Sequence, residues 1–156
     1  MAGRVGRPAT LSRQGSIMTV KLESLKADLD REVKGDWIEF PDWPGVAFNV
    51  SSLLIPQYAT ARDLLMQRLS RQHKGKPIPR EIVTTELGKL YAKHILHGWR
   101  GLDVEYSGEK AMETLSDPKF RNVVAAVEYC AGQVSQVDIE FVEDEAKNSK
   151  RPSAAA

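Results

Sequence analysis

Apolar residues recur every three or four positions over most of the chain, and the spacing tightens in "DWIEFPDWPGVAFNV", residues 36–50. Aromatic and β-branched side chains dominate this run. They predict two short strands, Trp37–Phe40 and Val46–Val50, divided by the turn Asp42-Trp43-Pro44-Gly45. A hairpin is the simplest arrangement. Pro41 and Pro44 carry no N–H, so they belong in its turn or on an edge. Before it, Leu22, Leu25, Leu29 and Val33 are spaced for one helix face that ends at Gly35.

From Gln57 onward the whole pattern predicts helix. Tyr58, Ala61, Leu65 and Leu69, with Leu64 beside them, form a stripe opposite Arg62, Asp63, Arg68 and Arg71. The loop "HKGKPIP" stops that helix. A second is expected after Pro79, with Val83, Leu87, Leu90, Tyr91 and His94 on one side and Ile95 and Trp99 extending the stripe to Gly98 and Gly101. Gly88, inside it, would let a neighbouring helix approach. Ser107 caps a short helix with Ala111, Met112 and Leu115, and Asp117 caps another with Pro118 in its first turn. Phe120, Val123, Val124, Val127, Ala131 and Val134 follow at i, i+3, i+4, i+7.

The fold class expected is mainly α within α+β: a small domain of four to five helices with an N-terminal hairpin near 37–50, spanning 18–142. Residues 1–17 hold three arginines and no acid, too little apolar surface to offset ordering entropy. They read as a disordered basic arm, with Met18 as a candidate start. Residues 143–156 read as a mobile tail.

Charge narrows the partners. Lys plus Arg number 22 against 21 Asp plus Glu, so a net charge of +1 gives no overall argument for nucleic acid or an anionic membrane. No apolar run approaches the ~20 residues that span a bilayer. The single cysteine, Cys130, excludes an intramolecular disulfide and fits a reducing compartment. A soluble, intracellular protein is expected.

Candidate chemistry concentrates in "HILHGWRGLDVEYSGEKAMETLSDPKF", residues 94–120. His94 and His97 are three apart, and His73 is the other imidazole. No H-E-x-x-H motif is present, and no acid stands at i+3 or i+4 within that helix, so no metal or cofactor is expected. Cys130 falls on the buried side of its helix, where a thiol behaves as a small hydrophobe. Nucleotide loops, a nucleophile elbow and paired catalytic carboxylates are missing too. No catalytic residue is assigned and the chain is expected not to be an enzyme. Five basic residues in "RLSRQ" and "HKGKPIPR" could meet phosphate, but no aromatics interleave to stack on bases.

The order "GDWIEF", "GVAFNVSSL", "QYATARDLLMQRL", then "LGKLYAKHILHGWRGL", then "YSGEKAMETLSDPKFRNVVAAVEYCA", then "EDEAKNSK" resembles the tail assembly chaperones of long-tailed phages and prophages, over nearly all of residues 28–150. The pieces are individually degenerate, and the specificity lies in their order. The family often has an Asp-Gly turn before the serine-led helix, where this chain has "LDVEY". The resemblance implies a non-catalytic role in the host cytoplasm. It makes the partners the tape-measure protein, a long amphipathic helix that otherwise self-associates, and the tail-tube protein recruited around it. The chaperone would be absent from the mature virion.

A holdase needs apolar side chains left exposed. Trp43, Leu53, Leu54 and Ile55 are the candidates for client binding, since the helical stripes do not consume them. Gly98, Trp99, Gly101, Asp117, Pro118 and Phe120 are assigned architectural roles, the first three at a helix end. A structural virion component, such as a head–tail joining or tail-completion protein, is the alternative. A small DNA-binding regulator is a third, without a recognition-helix pattern. A homo-oligomer stays open.

Overall fold

The computed structural model describes residues 18–142. The expected basic arm and the tail lie outside the described residues. The described chain falls into two compact units.

The first combines residues 18–27 with 137–142. Strand β1 (Thr19–Val20) pairs antiparallel with β5 (Phe141–Val142). The ladder continues through the Lys21 N–H, which donates to the Glu140 carbonyl at 2.8 Å. The Ser24 hydroxyl accepts from the Glu140 N–H at 3.0 Å. Leu22–Leu25 is a single 3-10 turn.

The second unit is Asp28–Gln136. It opens with α1 (Leu29–Lys34), whose N-cap Asp28 accepts from the Arg31 N–H at 3.1 Å. The single helix expected over Leu22–Val33 is therefore two pieces. The reason is local: the Asp28 carboxylate starts a new helix by satisfying one of its orphan donors, while Lys26 stays extended. Gly35 ends α1 as expected, at φ +91°. Its last carbonyls are taken up from the residues after the hairpin. The Ser52 N–H donates to Glu32 O at 2.9 Å, and the Ser51 hydroxyl donates to Val33 O at 2.9 Å.

Strands β2 (Asp36–Glu39) and β3 (Ala47–Val50) form the expected hairpin, with Pro41 and Pro44 in its turn. Helix α2 (Pro56–Gln72) buries Tyr58, Leu65 and Leu69 and leaves Leu64 60% exposed. Helix α3 (Arg80–Leu90) follows. Then the expectation fails. Tyr91–Ile95 is one π turn, and Leu96–Arg100 is a strand, β4, not the end of a helix. The wider turn takes one extra residue, which shifts the apolar stripe out of helical phase. Leu96 then turns extended at ψ 125°, and β4 pairs with the open edge of β3. The hairpin is thus two thirds of an antiparallel sheet ordered β2-β3-β4.

Ile38, Phe48 and Trp99 stand in register on one face of this sheet. Helix α4 (Gly108–Leu115) starts at Ser107, whose hydroxyl accepts from the Lys110 N–H at 3.0 Å. Asp117 accepts from the Lys119 N–H at 3.0 Å and Pro118 opens a 3-10 turn, as the local signals imply, but α5 itself begins only at Arg121 (Arg121–Val134). Phe120 accordingly sits before the helical phase is set and is 45% exposed, contrary to its place at the head of the buried stripe. Val124, Val127, Cys130, Ala131 and Val134 do go inside, with Phe48, Val50, Tyr91, Ile95 and Leu115. Among the described residues, five α-helices and a small sheet around one core make an α+β fold, as the pattern predicts.

Candidate functional site

The residues singled out for chemistry do not converge. His73 Nδ1 lies 3.0 Å from the Leu69 carbonyl at the end of α2, and His94 lies in the π turn. Among the described residues no group of three or more His, Cys, Asp and Glu side chains is placed to hold a metal ion.

His97 has one close partner, which the sequence did not suggest. Its Nε2 lies 2.6 Å from the hydroxyl of Ser51, a residue with no exposed surface. A serine–histidine contact invites a nucleophilic reading, and the third atom decides against it. The Ser51 hydroxyl has one proton, and the Val33 carbonyl, which can only accept, lies 2.9 Å away. With that proton given to Val33, the hydroxyl accepts from His97 Nε2–H. The ring is then a donor to Ser51 and cannot take its proton. Burial also holds the His97 imidazole below its ordinary range. The pair closes the C-terminus of α1.

Cys130 is fully buried, and desolvation pushes its thiol up to about 11. Its Sγ faces the Ile38 carbonyl at 3.7 Å.

The four residues expected to bind a client do not form one surface. Ile55 is 6% exposed and belongs to the core at the start of α2. Leu53 is half-buried against the same core. Trp43 packs edge-on to Phe40, with ring centroids 4.8 Å apart. Leu54 alone stands out, 69% exposed. The run after the hairpin looked spare because its neighbours in sequence are turn residues; in space it lies against the sheet core.

Gly98 and Trp99 lie in strand β4 and not at the helix end expected for them. Trp99 is 8% exposed on the core face of β4, and its Nε1–H donates to the Val104 carbonyl at 2.7 Å. Gly98 lies under the Trp37 ring, whose Cη2 would be 3.4 Å from an added Cβ. The Arg100 guanidinium stacks over that same ring, 4.5 Å from its centroid. Gly101 holds φ +89°, and a Cβ there would collide with the Gly45 carbonyl oxygen.

An open groove of about 600 Å³ lies between α2 and α3. Ala61, Leu64, Leu65, Leu90 and Met112 give it an apolar floor. Arg68 of α2 meets Glu86 of α3 at 3.1 Å across it, and Lys89 reaches the same carboxylate at 2.8 Å. These cations, Lys89 foremost, hold the Glu86 carboxyl below its usual range. The sequence held one hint of this site: Leu64 falls beside the α2 stripe instead of on it. The partner helix that turns it into a wall could not be assigned from spacing alone.

The described residues contain no helix long and apolar enough to cross a membrane. Comparison with curated proteins and with solved structures returned no match. The family described as YdaY prophage protein matches residues 54–148, which include α2 through α5 and both walls of the groove. That is more than half of the chain, and the chain belongs to the YdaY prophage protein family.

Proposed function

We propose that this prophage protein is a non-catalytic tail assembly chaperone that binds the tape-measure protein and helps bring tail-tube subunits around it. The observation that carries this reading is the α2–α3 groove. Its apolar floor is open, and Leu64 is 60% exposed on a helix that otherwise buries its leucines at 65 and 69. A groove between two helices receives a third through anchors spaced i, i+3, i+4 and i+7. A tape-measure protein offers such a helix many times over. The order of motifs along the chain and its prophage family support the same assignment.

The client contact accordingly moves from the Leu53–Ile55 run to α2 and α3. Its work is done in the host cytoplasm, and the mature virion lacks it. Co-expression tests the reading: the tape-measure protein of the same prophage should be soluble with the chain present and insoluble without it. Recovery of the chain at stoichiometric amount in purified particles would overturn this in favour of a structural virion component.

A further inference from the structure

The rim of the α2–α3 groove is electrically one-sided. Arg68, Arg71, Lys89 and Lys93 surround it against one carboxylate, Glu86. The chain as a whole carries only +1, so this concentration is local. Glu86 is already engaged by Arg68 and Lys89, whereas Arg71 and Lys93 make no ion pair among the described residues. Both side chains are exposed at the edges of the apolar floor. Lining positions 61, 64, 65, 68 and 71 recur along α2, and 86, 89, 90 and 93 recur along α3 and the π turn. From Ala61 to Arg71 the helix rises about 15 Å, room for roughly three turns of a docked helix.

We propose that this groove docks an amphipathic helix of about three turns whose apolar stripe is flanked on both edges by Asp or Glu. That the site is used rests on the chaperone reading, but the chemistry of its occupant follows from the groove itself. An apolar stripe covers Leu64, Leu65, Leu90 and Met112, while flanking carboxylates meet Arg71 and Lys93 and leave no cation facing another. A lysine-flanked helix brings like charges together at the rim. A nucleic acid would satisfy the cations but leave the floor against sugar and phosphate, and no aromatic side chain lines the groove to stack a base.

The test uses the full chain and two labelled helical peptides of about 20 residues with the same Leu/Ala stripe, one flanked by Glu and one by Lys, with binding read by fluorescence anisotropy. In about 0.1 M salt the Glu peptide should bind roughly tenfold tighter, and the gap should shrink to a few-fold in about 1 M salt, as screening shortens to ~3 Å. Leu64→Gln should weaken both peptides, and the Arg71→Glu/Lys93→Glu double reversal should invert their ranking. Far-UV circular dichroism and an unchanged denaturant midpoint show that these exposed positions leave the fold intact. Equal affinities, or a ranking unmoved by the reversal, overturn the proposal. So does tighter binding of a single-stranded oligonucleotide, which assigns the rim to nucleic acid. So does a dimer that Leu64→Gln dissolves, which assigns the groove to a second copy. The two readings can fail separately. Discrimination between the peptides without rescue of the tape-measure protein sinks the chaperone, and rescue without discrimination sinks the acidic-helix groove.

Discussion

Trp99 fills the core face of β4 with a ring that also meets Tyr106 edge-on, with centroids 5.2 Å apart, and gives its only donor to a backbone carbonyl. Trp99→Ala removes the burial, the ring pair and the hydrogen bond together, and should cost about 3–5 kcal/mol. An unchanged denaturant midpoint would contradict it. Trp99→Phe keeps most of the apolar volume and should cost less, by separating off the lost hydrogen bond to Val104, about 1 kcal/mol. Cys130 gives a second test at this scale. A fully buried thiol whose ionisation is pushed up to about 11 should not react with a thiol reagent at about pH 8 in the native protein, and should react fully in denaturant. Burial of this cysteine was legible in the sequence because the α5 stripe fixed its side. The Ser51–His97 contact was not legible, since the two residues are joined only when β3 and β4 pair.

At the scale of elements, Gly88 shows propensity and packing opposed. In an exposed helix, glycine to alanine stabilises by about 1 kcal/mol. Here α3 passes so close to the end of α4 that a Cβ at Gly88 would collide with the Leu115 carbonyl oxygen and press on Val124 Cγ2 at 3.2 Å. Gly88→Ala should therefore lower the denaturant midpoint, and a raised midpoint would show that α4 can give way. A close approach at this glycine was an expectation of the sequence, because a glycine amid good helix formers needs a reason. The strand β4 was not legible. "KLYAKHILHGW" keeps helical spacing through residue 99, and only the unpaired edge of β3 and the π turn, both products of the folded chain, convert its second half. The hairpin, α2, the caps at Ser107 and Asp117 and the α5 stripe from Val124 onward were legible, since each rests on contacts a few residues apart.

Across the whole molecule, the perturbed groups predict a plateau of stability in pH. On the acid side, the Arg31 guanidinium at 2.8 Å holds the Asp36 carboxyl below its ordinary 3.8. Lys89 first, then Arg68, hold Glu86 below 4.5, and burial holds His97 below 6.5. Each folded value lies under the unfolded one, so each contribution is complete above the unfolded value and is lost as pH falls through the folded one. On the alkaline side, burial raises the Cys130 thiol above 9.0 and the Tyr58, Tyr91 and Tyr106 hydroxyls above 10.0. Those contributions are complete below the unfolded values and are lost as pH rises. The denaturant midpoint should be greatest between about pH 6.5 and 9 and fall on both sides. Asp36→Asn together with Glu86→Gln should flatten the acid limb below about pH 4.5 and leave the alkaline limb unchanged.

The groove proposed for the client is lined by two helices jointly, a pairing that spacing along the sequence does not show. The most direct measurement is the partition of the tape-measure protein between supernatant and pellet when it is co-expressed with the parent chain or with a Leu64→Gln/Lys93→Glu chain of unchanged denaturant midpoint. The expected result is a client held in the supernatant by the parent and returned to the pellet with the groove variant. A client that stays insoluble with the parent, or stays soluble with the variant, would contradict it.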